Sequence, residues 1–149
     1  MKLSCWLAGT MSDFAEKFEN NEALYNQARA FWRSLEGSTM WLVIIFAVCG
    51  IAFAAYYYTI FNNKPNRHYH PKYWWMHFVA TFIVSLLLTL VFECLVAAPK
   101  LDGAMWLEGK IAFANGGYAI AIYFVMSLIW CNCNFLPTNA YRCFKFYKS

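Results

Sequence analysis

The sequence predicts an all-α integral membrane protein, an N-terminal amphipathic helix followed by three transmembrane helices. Three observations predict it. Hydrophobic residues make up 61% of the 149 residues and charged residues 13%, against about 25% charged in soluble chains. The apolar residues are gathered into long blocks, as a bilayer requires. Aromatic residues reach 21%, which suits a chain with much of its length near lipid headgroups. The expected layout is an N-terminal extension and amphipathic helix over 1–37, a transmembrane domain over 38–131, and a polar aromatic tail over 132–149.

The first element is expected over 12–36. Ser12 or Asp13 can cap it, Glu16 falls in its first turn and Gly37 closes it. Phe14, Phe18, Asn21, Tyr25, Ala28, Trp32 and Leu35 recur at alternating spacings of four and three, a heptad seam with one polar member. Such a face lies in the headgroup region, packs within the protein or meets a partner.

Three spans follow, at about 40–61, 74–98 and 111–131. Each is close to the length that crosses a bilayer at about 1.5 Å per residue. Tyr56, Tyr57 and Tyr58 near the end of the first, and Trp74 and Trp75 at the entry of the second, sit where aromatic belts form. Pro65 and Pro71 mark the intervening hinge, and Pro99 ends the second span.

Three crossings place the termini on opposite sides. The hinge and tail carry Lys64, Arg67, Lys72, Arg142, Lys145 and Lys148 with no acid, whereas the other side mixes Lys and Arg with Asp and Glu. The positive-inside bias slightly favours a cytoplasmic hinge and tail, and the untranslocated look of the first helix offsets it. No signal peptide is read at the N-terminus. Met11, just before the capping sequence, is a second candidate start. In a bacterium the expected location is the inner membrane. The net charge of +4 is dispersed, so no nucleic-acid partner is expected.

The second span holds the most informative pattern. His77, Thr81, Ser85, Thr89 and Glu93 recur every four residues, and four residues turn about 400° on a helix, so they form one slowly spiralling stripe. Facing lipid would be costly, above all for Glu93. The stripe is therefore expected to pack against other helices or to line a pore. Lys100 and Lys110 lie at the Glu93 end and are candidate charge partners. Small-residue pairs at close-packing spacing flank this helix: Gly50 with Ala54, Ala112 with Gly116, and Gly117 with Ala121. Asn115 is a further polar group needing a partner within the membrane. Otherwise the polar residues are read as concentrated on the second span.

No metal or cofactor is expected. His68-x-His70 lacks further ligands, and Cys131-x-Cys133 with Cys143 has an atypical spacing for zinc. No nucleotide loop, nucleophile elbow or paired-histidine motif is present in the sequence. The expected function is a non-enzymatic multi-pass subunit that contacts the lipid bilayer and assembles by helix packing, with copies of itself or with other membrane subunits. In one version several second spans line an ion-conducting pore. Three spans enclose little alone, so a pore requires an oligomer, with Glu93 forming a ring that favours cations. Two alternatives stand beside it. One is a small membrane effector or immunity protein in microbial conflict. The other, an integral-membrane enzyme, is disfavoured because His77 and Glu93 lie about 24 Å apart along an ideal helix.

Overall fold

The structure, a computed structural model, describes residues 14–64, 70–96, 100–101, 103–133 and 144. Every regular element among them is helical. A 3-10 turn at Glu16–Phe18 precedes three long helices, α1 (Glu22–Ala55), α2 (Pro71–Val96) and α3 (Met105–Asn132). All three are long and apolar enough to cross a membrane. Even α2, the shortest at 26 residues, measures about 39 Å against about 30 Å of bilayer hydrocarbon.

Element boundaries differ from the sequence reading for local reasons. Gly37 does not close a helix but lies within α1, which runs from the amphipathic stretch straight into the first apolar block. A glycine stop needs a left-handed backbone, and among the described glycines only Gly103 has positive φ, at 89°. The Ser38 and Thr39 hydroxyls both donate to the Leu35 carbonyl, at 2.9 and 3.4 Å, so they bond back along the helix instead of breaking it. The N-terminal boundary also moves. Asn21, placed in the seam, is the N-cap of α1: its Oδ1 accepts from the Ala23 and Leu24 amides at 3.0 and 3.4 Å. Pro71 opens α2 at the position where its missing N–H costs nothing. α3 begins at Met105, within the stretch read as a connection, after the left-handed Gly103.

The far end of α1 loosens into a wider turn over Tyr56–Ile60 and then a 3-10 turn over Phe61–Asn63. The Asn62 side-chain amide donates to the Tyr57 carbonyl at 2.8 Å, which also accepts from the Phe61 backbone amide.

The chain divides into two compact units, Met1–Ile45 with Leu86–Asn115, and Phe46–Ser85 with Gly116–Ser149. The core of the first is built on Phe14, Phe31, Trp32, Leu35, Leu42, Leu107 and Ile111. Phe14 lies 5.4 Å from Trp32 and 6.2 Å from Phe31, ring centre to ring centre. In one unbroken helix Phe14 and Trp32 would be about 27 Å apart. The break before Asn21 therefore folds the front of the seam back onto its rear. Phe14, Ala28, Trp32 and Leu35 are buried by that fold, Phe18 and Tyr25 are half-buried, and Asn21 is exposed. Trp106 at the start of α3 takes cations from two directions, Lys17 Nζ at 4.2 Å and Lys110 Nζ at 4.6 Å from its ring centre.

The second unit has an aromatic core of Tyr57, Tyr58, Phe61, Trp74, Tyr123 and Trp130. Buried Trp and Tyr need partners for their polar atoms, and α3 supplies several. Trp74 Nε1–H donates to Ser127 Oγ at 3.0 Å, Ser127 donates to the Tyr123 carbonyl at 2.8 Å, and the Tyr123 hydroxyl donates to the Trp74 carbonyl at 3.4 Å. The Tyr58 hydroxyl and the Cys131 thiol share a hydrogen bond at 3.5 Å.

Candidate functional site

All five members of the α2 stripe are buried, and none exceeds 5% exposure. In the second unit, His77 Nδ1 bonds the Tyr73 carbonyl at 2.8 Å, and the ring sits among Tyr57 and Phe61 at 5.2 and 4.6 Å between centres. Thr81 donates to the His77 carbonyl at 2.7 Å. Ser85 is hydrogen-bonded to the Cys49 thiol of α1. In the first unit, Thr89 accepts from Asn115 Nδ2 at 2.9 Å, and the same nitrogen donates to the Leu42 carbonyl at 3.2 Å. Asn115 thus ties α3 to both other helices. Such interhelical bonds average about 0.6 kcal/mol in membrane proteins, so their main effect here is to set register.

Glu93 differs from the other four. It is 1% exposed, and neither carboxylate oxygen has a hydrogen-bond partner. A cavity of about 340 Å³ lies beside it in the first unit. Lys100 and Glu108 line that cavity with it. Of the two lysines expected as partners, Lys100 shares the cavity without bonding either Glu93 oxygen, and Lys110 is turned to Trp106.

The polar residues are not concentrated on α2 as the sequence reading had them. α3 carries its own row at the same spacing of four, Asn115, Ala119, Tyr123, Ser127 and Cys131, all buried. The spacing is present in the sequence, but of this row the sequence reading singles out only Asn115, and Cys131 for its spacing to Cys133.

The small-residue pairs separate by surroundings. Gly50, Ala54, Ala112 and Gly116 are buried. A Cβ at Gly50 would stand 2.7 Å from the Ala119 carbonyl oxygen, and one at Gly116 would stand 2.8 Å from the Phe82 ring. These two glycines mark close helix approach. Gly117 is half-buried and Ala121 exposed. Both lie along an apolar groove of about 450 Å³ in the second unit, walled by Trp74, Trp75, Phe78 and Phe124.

Of the residues weighed for metal binding, His70 is exposed and packs edge-on to Tyr73, and Cys133 is half-buried. His68 and Cys143 lie outside the described residues. No known protein family, curated protein or solved structure matches this chain.

Proposed function

We propose that the chain is an integral membrane protein crossing the bilayer three times, a non-enzymatic subunit that assembles by helix packing with copies of itself or with other membrane proteins. One observation carries this reading, the inverted distribution of side chains on α2. Thr81, Ser85 and Thr89 are fully buried, while Val79, Ile83, Leu87 and Val91 are each about half exposed, from 48% to 56%. Water would favour the reverse. In hydrocarbon the exposed aliphatic face costs nothing, and the hydroxyls find partners inside.

The groove along Gly117 and Ala121 supports assembly. Its floor is small and its walls are aromatic, a shape that admits another helix closely. The hydrogen bonds held by Thr81, Ser85 and Thr89 within one chain favour a packing role for the stripe over a pore lining. His77 and Glu93 both lie on α2, about 24 Å apart along an ideal helix, which gives no support to a shared reaction centre.

Single cysteines at 79, 83 and 87, and at 81, 85 and 89, test the reading in reconstituted protein. The first three should react only with lipid-soluble maleimides, and the last three should resist both lipid-soluble and water-soluble reagents. Water-soluble labelling at 81, 85 and 89 would replace packing with a pore. The same labelling at 79, 83 and 87 would remove the membrane reading. Assembly is tested by mass in mild detergent, where Gly117→Leu should reduce a multimer to the protomer. An unchanged multimer would exclude the groove as its interface.

A further inference from the structure

The cavity beside Glu93 has the chemistry of a ligand site. Its volume of about 340 Å³ is in the range of small-molecule pockets, about 300–1,000 Å³. Glu93 and Glu108 supply two carboxylates, Lys100 supplies one ammonium, and Leu101 and Met105 supply apolar wall. The feature that separates this cavity from an ordinary acidic surface is Glu93, which lines it, is 99% buried and has both oxygens without a hydrogen-bond partner. A buried carboxyl without a partner keeps its proton unless a cation accompanies it, because ionising it alone there is very costly. A cation seated in the cavity would stabilise the ionised form.

The lining narrows the class of cation. Ca²⁺ takes about six to eight oxygen ligands, and no group of three metal-ligating side chains occurs among the described residues. A trimethylammonium group is held by aromatic faces, and none of the described residues lining this cavity is aromatic. Carboxylates accept hydrogen bonds and donate none when ionised, whereas a primary ammonium brings three donors. Lys100 is exposed and carries the positive charge that an anionic group on the same ligand would meet. Ethanolamine phosphate combines both groups at short separation.

We propose that this cavity binds a primary ammonium of the ethanolamine type, with Glu93 as acceptor, Glu108 as the second negative charge and Lys100 facing a phosphate carried by the same ligand. Either an ethanolamine phospholipid or a free phosphoethanolamine presents that chemistry. The site lies within a single chain, so it stands whether or not the protein assembles.

Cys94 reports on occupancy, because it is a free, exposed thiol that lines the same cavity. The full chain is alkylated with maleimide, and labelling of Cys94 is followed peptide by peptide, with Cys133 as the internal reference. Phosphoethanolamine should slow Cys94 labelling in detergent, and phosphatidylethanolamine should slow it in nanodiscs. Phosphocholine and phosphatidylcholine should not. Protection by the lipid alone assigns the source to the bilayer, and protection by the soluble compound as well shows that the headgroup suffices. Glu93→Gln should raise the half-protecting concentration about tenfold or more, as expected for losing a hydrogen bond to a charged group. Glu108→Gln, at a half-buried position, gives a second variant with less risk to folding and should weaken protection in the same direction. Equal protection by the choline compounds, no protection by any of them, or protection unchanged in both variants would overturn the proposal.

Discussion

Gly50 and Gly117 both sit on apolar helices, and their surroundings give them opposite roles. At Gly50 an added methyl would stand 2.7 Å from the Ala119 carbonyl and from Ile122 Cγ2. Neither helix can yield there without separating from the other. Gly50→Ala should therefore lower stability by about 1–3 kcal/mol, the usual cost of overpacking. Gly117 has nothing within 4 Å of the same methyl. Gly117→Ala should be neutral or should stabilise by up to about 1 kcal/mol through reduced chain entropy. Thermal unfolding of both variants in one detergent checks the contrast. Equal losses would mean that the α1–α3 approach at Gly50 is wrong. Both glycines belong to pairs spaced four apart in the sequence, and that spacing alone cannot separate them, because it fixes the helix face and leaves open what the face meets.

Among the elements, α1 shows how one side chain can redirect a helix. The aromatic seam runs at heptad spacing from Phe14 to Leu35, and a continuous helix would have presented it to a partner. Asn21 instead caps α1, and Phe14 turns back onto Phe31 and Trp32. Asn21→Ala should cost about 1 kcal/mol, and Asn21→Asp or Asn21→Ser should restore most of it. Helicity and melting temperature measured on the three variants check this. A stable Asn21→Ala protein with increased helicity would show that the segment prefers one unbroken helix. The seam's spacing was legible in the sequence. The turn was not read, although Asn is among the preferred N-cap residues, because the fold-back rests on contacts far apart in the chain.

At the scale of the whole molecule, three apolar helices and the inverted polarity of α2 lead to one topological consequence. If all three helices cross the bilayer, as proposed above, the odd number of crossings puts the N- and C-termini on opposite sides. Small epitope tags at the two ends should therefore show opposite protease protection in sealed vesicles. Protection of both tags, or of neither, would require an even number of crossings and would demote one helix from spanning the membrane. The lysines and arginines on the two sides nearly balance, and this experiment also decides which side is which.

The sequence by itself determined the helical class, the three long apolar segments and the period-four row from His77 to Glu93. Each of these depends on composition or on spacing along a single helix, where neighbours are set by 3.6 residues per turn. The tertiary structure alone decided how those rows were used. It set Thr89 of the α2 row against Asn115 of α3, whose side chain is its donor. It left Glu93 buried beside a charged cavity with no partner of its own. Such pairings are chosen by packing between segments distant in the chain, and no local periodicity encodes which faces will meet.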